Sequence, residues 1–449
     1  MTTSSKRISD LLPRPETSAV RAVAGPIGTR TAALLDTRLI RRILFSRLER
    51  IGRGMLVIED ADGRHQFGAR GGRRGHADRS RSAAPAVLSV HDPRAYRLIA
   101  LGGSVGAAEG YMAGCWTTDD LYAVMRLFAD NADVLDELDG IATWLPRLRY
   151  RFSHWRRKNT RAGSSDNIYA HYDLGVDFFA MLLDETLTYS CGIFESAGAT
   201  LGQAQIVKLD RICKKLALRP CDRVLEIGTG WGSFALHAAS RYGCRVTSTT
   251  ISEDQLRIAS ERVRRAGLDD RITLLDKDYR DLTGTYDKLV SIEMIEAVGH
   301  EYLDDFFAGA SDRLAADGIM VLQAITMADQ RYEYARRQVD FIRQYVFPGS
   351  VIPSITAMVD SATRATDMRL FHLEDITSHY AETLARWRQR YHQNLDRVRA
   401  LGHDERFIKL WDYYLAYCQA GFASRYIGNV QMAFGKPRYR PTQPSLPPL

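Results

Sequence analysis

The chain has 449 residues, 45% of them hydrophobic, which is enough for two domains at about 150 residues each. No stretch approaches the roughly 18 consecutive apolar residues of a spanning helix. The opening MTTSSKRISDLLPRPE has no apolar signal core, so a cytoplasmic protein is expected. The net charge of +7 points to an anionic partner, and six cysteines without CxxC spacing argue against structural zinc or a disulfide framework.

In chain order, RLIRRILFSRLERIG (38–52) predicts a basic amphipathic helix with Leu39, Ile43, Leu44 and Leu48 along one side. GMLVIED, an Asp-Gly turn and RHQFG (54–68) predict a hairpin. Arg64 to Arg81 holds six arginines, one acid and four glycines, the composition of a solvated loop. Residues 1–150 are therefore expected to form a small mixed α+β domain. RFSHWRRKNTRAGSSD (151–166) reads as a basic linker and 437–449 as a Pro-rich tail.

Between them, 167–436 shows strands at 222–228, 244–251, 271–278, 286–293 and 318–325, with helical stretches such as SEDQLRIASERVRRAG (252–267) between several. Such alternation predicts βαβ units and a mostly parallel sheet, hence an α/β, Rossmann-like fold. Residues 380–425 read as helices, whose Trp387, Tyr391, Trp411, Tyr413 and Tyr414 suit a core or an acyl tunnel.

The first of those strands runs into Glu226-Ile-Gly228-Thr-Gly230-Trp-Gly232 and then a helix. Glycines there allow positive φ and let a ligand approach backbone at a helix start. A dinucleotide turn would read GxGxxG. The GxGxG spacing after an acid resembles motif I of S-adenosylmethionine methyltransferases. The second strand ends in Thr249-Thr250-Ile251-Ser252 where an acid is expected to hold a ribose, leaving Gln255, Glu253 or Asp254 as substitutes.

The blocks NIYAHYDLGVDFFAMLLDETLTYSCGIF (167–194), VSIEMIEAVGHEYLDDFF (290–307), DFIRQYVFPGSVIP (340–353), HYAETLARWRQRY (379–391) and YYLAYCQAGFASRYIGNVQMAF (413–434) resemble the cyclopropane-fatty-acyl-phospholipid synthase family. EGYMAGCWTTDDL (109–121) is similar to the extra N-terminal domain of its bacterial membrane-lipid members. SIEMIEAVG and LQAIT look nearest to plant and actinobacterial branches.

The resemblance implies a class I methyltransferase fold and methyl transfer from S-adenosylmethionine to a cis double bond in a phospholipid acyl chain. It assigns the cofactor to Tyr172, Tyr189, Ser190, Glu226, Gly228, Gly230, Gly232, Thr250, Gln255, Asp278 and Tyr279. It assigns catalysis to Cys191, Glu296, Gln323 and Tyr380, which match the family's holders of a bound bicarbonate base, and it brings in Cys418. No metal is expected.

Gln323 departs from the family's common histidine, and glutamine cannot take up a proton. Either bicarbonate stays with altered strength or Glu296 acts directly. Glu293, standing where many relatives carry glycine, is left without a role. Cys191 acts through its backbone or merely packs. His171 and Tyr172 are expected in a lid over the cofactor.

Two products remain open: a cyclopropane, or a methylene branch that a separate reductase would make methyl. The expected partner is an unsaturated phospholipid bilayer, met peripherally at the inner face of the cell membrane, with a homodimer left open. A nucleic-acid methyltransferase is the alternative of a different class. It would need a catalytic Pro-Cys nucleophile or an Asn/Asp-Pro-Pro-Tyr loop, and neither catalytic loop is expected here.

Overall fold

The computed structural model describes residues 36–68, 84–134 and 174–440. The linker 151–166, His171, Tyr172, most of the arginine-rich loop and the tail 441–449 lie outside them. Two compact units emerge, one of 1–153 with 394–424, the other of 154–393 with 425–449. The boundaries expected from the sequence kept 167–436 together. Here the segment 394–424 clusters with the N-terminal unit, because its helix Glu405–Ala423 packs on Leu121–Asp130 and Arg94–Met112.

The first unit holds a four-stranded mixed sheet of order β2-β1-β3-β4: β1 Leu56–Asp60, β2 Gly63–Phe67, β3 Ala86–Val90 and β4 Trp116–Thr117. The expected hairpin is β1 and β2, paired antiparallel. The basic helix is Thr37–Leu48, but its buried side carries Ile40, Leu44 and Leu48. Leu39 and Ile43 face solvent instead, 46% and 36% exposed. The 3.6-residue period puts Ile40 with Leu44 and Leu39 with Ile43, so one apolar run serves two faces.

The second unit is a seven-stranded sheet of order β10-β11-β9-β8-β5-β6-β7. Its parallel members are β5 Arg223–Ile227, β6 Arg245–Thr250, β7 Ile272–Asp276, β8 Tyr286–Ile292 and β9 Leu314–Met327. Two antiparallel strands, β10 Arg369–Asp375 and β11 Ile427–Gly435, complete it. This is the α/β, mostly parallel architecture expected.

Alternation along the strands feeds two cores. Leu225, Ile227, Leu289, Met320, Leu322, Met432 and Phe434 pack with the helices Leu303–Arg313 and Ile355–Ala365. Val224, Val246, Val290, Ile319, Val321 and Ala433 pack with Leu201–Lys215 and Ser233–Tyr242. On that second face β9 continues from Ile319 and Val321 to Gln323, and β11 runs back from Ala433 to Gln431 and Asn429. All three amides are fully buried. An apolar core thus turns polar toward the carboxyl ends of the parallel strands, where open α/β sheets bind ligands.

Candidate active site

The glycine turn links β5 to the helix Ser233–Tyr242. Gly228, Gly230 and Gly232 have φ of 100°, 52° and 86°. A Cβ built on Gly230 meets nothing within 4 Å, so the turn borders open space that a side chain would occupy. The Ser233 hydroxyl donates to the Thr186 carbonyl and holds the Tyr189–Cys191 stretch near this helix start. Tyr189 packs between Phe179 and Trp387, its ring centroid 5.1 Å from each.

At the end of β6, the Thr250 hydroxyl donates to Gln255 Oε1 at 2.9 Å, and both residues are buried. Asp254 is taken by Arg257. Beyond β7, Asp278 pairs with Arg280, whose guanidinium lies 5.5 Å from the Tyr279 ring centroid. Glu226 is buried and accepts from the Ser248 hydroxyl at 2.5 Å; burial pushes its carboxyl up to about 8. It therefore ties β5 to β6 as a neutral acid. These chain ends fit an adenosyl-methionine ligand, with an open cradle at Gly230 and amide and hydroxyl groups at the ribose end.

The catalytic candidates converge on a residue that sequence reasoning left without a role. Glu293 directly follows β8, with φ of 49°, and its N–H donates to the Gln323 carbonyl at 2.8 Å. Its Oε1 accepts from the Cys191 N–H at 3.1 Å, Gln323 Nε2 at 2.8 Å and Asn429 Nδ2 at 2.7 Å. Its Oε2 accepts from the Tyr380 hydroxyl at 2.7 Å. Three of these four donors are groups that the family resemblance gives to bicarbonate. The Glu293 carboxylate uses them itself, so the residues present do not fit a separate bicarbonate in that position.

Glu296 sits one turn on, buried. One oxygen accepts from the Ile325 N–H while Oε2 has no hydrogen-bond partner. Burial and then the nearby Glu293 charge push its carboxyl up to about 8, so it is a protonated acid at neutral pH. Burial also drives the Cys191 thiol well above the usual range, consistent with its backbone N–H being the working group.

Cys418 lies on the helix Glu405–Ala423, which belongs to the first unit. A Pro-Cys pair does occur at Pro220-Cys221. It precedes β5 at the end of the strand away from the glycine turn, and Cys221 is exposed.

Asn429 was missed along with Glu293. Its signal was polar residues at alternate positions of an otherwise apolar strand, GNVQMAF. For Glu293 the only signal was a side chain at a position that favours glycine.

Two outcomes follow. Gly230→Val should cost about 1–2 kcal/mol of stability for a β-carbon in the left-handed region. It should nevertheless abolish adenosylmethionine binding by calorimetry, and affinity within threefold of the parent, roughly the noise of a contact change, would remove the cradle from the site. Glu296→Gln copies the neutral acid, so kcat near pH 6.5 should fall by less than about tenfold, below the usual contribution of a general base.

A profile of the family described as mycolic acid cyclopropane synthetase matches residues 159–432. The tuberculostearic acid methyltransferase UfaA1 of Mycobacterium tuberculosis (strain ATCC 25618 / H37Rv) is 39% identical over 352 residues, 77% of this chain and 82% of that protein. The cyclopropane-fatty-acyl-phospholipid synthase of Escherichia coli (strain K12) is 34% identical over 359 residues, 79% of this chain and 89% of its own. The crystal structure of the mycolic acid cyclopropane synthase CmaA1 with SAH and CTAB superposes with a TM-score of 0.57 at 31% identity. It covers 61% of this chain and 98% of that one. This chain therefore belongs to the mycolic acid cyclopropane synthetase family, S-adenosylmethionine-dependent enzymes that transfer a one-carbon unit to unsaturated lipid chains.

Proposed function

We propose that the protein methylates a cis double bond in a phospholipid acyl chain and that Glu293 then takes the proton, leaving a methylene branch. The observation that carries this reading is the carboxylate of Glu293 inside its four donors.

Bound S-adenosylmethionine supplies an electrophilic methyl group. An alkene is a weak nucleophile, so the protein's task is to hold its π bond in line. Methylation of one olefinic carbon leaves a cation on its neighbour. A fixed carboxylate stabilises that charge as it develops, without reorganising.

Two exits exist. Proton loss from the new methyl with bond closure gives a ring. A hydride shift from the methylated carbon first gives a tertiary cation there, and proton loss from the methyl then gives an exocyclic C=CH2. With Oε1 filled by three N–H donors, Oε2 is the oxygen left to accept the proton. Gln323 replaces the histidine that could pass a proton onward. A single tethered acceptor without a relay favours the shift. The similarity to UfaA1, named for tuberculostearic acid, supports the same product, which a separate reductase would convert to a methyl branch.

Access to lipid fits the first unit. Leu39 and Ile43 project from the helix Thr37–Leu48 beside exposed Arg38 and Arg42, a face suited to anionic head groups. Among the described residues no helix is long and apolar enough to cross a membrane, so attachment at the surface is the consistent mode.

Glu293→Gln should lower kcat about 100-fold or more, the usual worth of a positioned base, with adenosylmethionine affinity unchanged. Near-normal turnover, read as adenosylhomocysteine release on oleoyl vesicles, would exclude Glu293 as acceptor. Glu293→Gly relieves the backbone and opens the donor cage. Added bicarbonate should then restore turnover and raise the cyclopropane share in the fatty acids by mass spectrometry, and Gln323→His should move the ratio the same way.

Leu39→Ser combined with Ile43→Ser should weaken binding to anionic oleoyl vesicles about tenfold or more. Each buried methylene is worth about 0.8 kcal/mol, and added salt should weaken the parent's binding too. Unchanged sedimentation with vesicles would place lipid docking elsewhere.

A further inference from the structure

Behind the polar cage runs a chain of hydrogen bonds with one direction. Lys215 Nζ, whose side chain is 1% exposed, bonds Glu374 Oε2 at 2.5 Å and donates to Gln431 Oε1 at 2.6 Å. Gln431 Nε2 donates to Gln323 Oε1 at 2.9 Å. Gln323 Nε2 donates to Glu293 Oε1 at 2.8 Å and reaches the Cys191 carbonyl at 3.4 Å. The two glutamines face each other in register across β9 and β11. Arg211 bonds the other oxygen of Glu374 and completes the far end.

We propose that Lys215 and Gln431 are positioning residues that lock the Gln323 amide with its NH2 toward Glu293. An amide has one donor end and one acceptor end, and in isolation either could face the carboxylate. An ammonium group can only donate, so Gln431 must turn its oxygen to Lys215. Its NH2 then faces Gln323, which must answer with oxygen and is left pointing its own NH2 at Glu293. A carboxylate can only accept, so both ends demand the same sense. The assignment thus follows from the termini and not from how either amide was placed.

The consequence concerns where the proton goes, and it rests on the reading of Glu293 as acceptor. A locked Gln323 keeps Glu293 Oε1 saturated, with the Cys191 N–H and Asn429 as the other donors. The proton leaving the methylated chain is then directed to Oε2, beside the Tyr380 hydroxyl. A flipped Gln323 would set its carbonyl oxygen against the carboxylate and remove a donor from it. Burial pulls the Lys215 ammonium down to about 8, while Glu374 and Arg211 flank it on one side and His372 lies near. Its cationic form therefore dominates at neutral pH.

The test compares two substitutions of one side chain in the full-length enzyme on oleoyl vesicles. Gln431→Met removes the link but leaves Glu293 to orient Gln323, so kcat should fall less than about fivefold. Gln431→Glu still accepts from Lys215 but offers no N–H, so Gln323 turns its NH2 to the new carboxylate and kcat should fall about 30-fold or more, as expected when a charged group loses a donor and gains a facing oxygen. KM for both substrates should stay within about threefold in each variant, which separates positioning from binding. Adding Gln323→His to Gln431→Glu should recover about tenfold, because an imidazolium donates to both carboxylates.

Equal losses in the Met and Glu variants, or no recovery in the double variant, would overturn the proposal. If Gln431→Glu does not fold, Lys215→Glu combined with Glu374→Gln carries the test, because a carboxylate at 215 demands the Gln431 NH2 and so reverses both amides. A fall in kcat of about 30-fold at constant KM supports the lock, and a fall below about fivefold overturns it. Glu293→Gln assayed in parallel separates the two readings. An active Glu293→Gln would remove the acceptor itself, whereas an inactive one with equal Gln431 variants would remove only the lock.

Discussion

A carboxylate held on a left-handed residue at the end of β8 is the constraint around which the second unit's polar groups are arranged. A non-glycine residue in that region costs about 1–3 kcal/mol. Hydrogen bonds to a charged group return about 1.5–3 kcal/mol each, and Glu293 receives four. The bonds outweigh the strain. They also come from four separate pieces of chain: the stretch before Gly192, β9, the helix Thr377–Gln393 and β11. One anion therefore fixes the relative placement of four segments that share no local sequence. Further ties keep the first of these pieces in place. The Gly192 N–H donates to the Thr383 hydroxyl at 3.1 Å, and the Phe194 N–H to His379 Nδ1 at 3.3 Å.

That arrangement depends on one sheet face changing character along its length. Ile319, Val321 and Ala433 sit in an apolar core, while Gln323, Gln431 and Asn429 continue the same face as amides. Buried amides without partners would each cost about 1–3 kcal/mol. Gln431 and Gln323 are tolerated because Lys215 and Glu293 terminate their chain of donors and acceptors at either end, whereas Asn429 gives its Nδ2 to Glu293 and keeps a buried Oδ1 without a partner. The helix Leu201–Lys215 takes part in both regions, giving Leu209, Ile212 and Cys213 to the core and Lys208 and Lys215 to the polar layer.

Much of this fold was legible in the residues. Strands β5 to β9 were readable because apolar runs alternate with helical periods, and the glycine turn because GxGxG follows an acid. Strands β10 and β11 were not readable. β10 alternates half-exposed residues, and β11 carries buried amides that break an apolar run. The resemblance set Cys191, Glu296, Gln323 and Tyr380 around a bicarbonate; that Cys191, Gln323 and Tyr380 bond to Glu293 was not legible. A sequence displays a glutamate at position 293 without displaying its φ, and it is the backbone turn that aims the side chain inward. Continuity misled at the other end of the chain. Residues 394–424 lie between segments of the second unit, yet their apolar surface packs with the first.

Burial and donor number together divide the labour among the acids of the site. Glu226 and Glu296 are both buried, and both carboxyls are raised to about 8, chiefly by desolvation. The first has hydroxyl help from Ser248, and the second only the backbone N–H groups of Ile325 and of Glu296 itself. Neither has enough donors to offset the loss of water. Lys208, fully buried, donates to the Ser190 hydroxyl at 2.6 Å, and burial draws it down to about 8. One weakened cation could not balance all its carboxylate neighbours, Glu293, Asp184 and Glu226, in a low-dielectric interior. With Glu226 neutral, it has one fewer to offset. A reaction that passes through a lipid cation needs local negative charge, but an excess would draw the protons back. Four donors converge on Glu293 and few on Glu226 and Glu296, so the hydrogen bonds that favour a carboxylate are gathered on the one placed to use them.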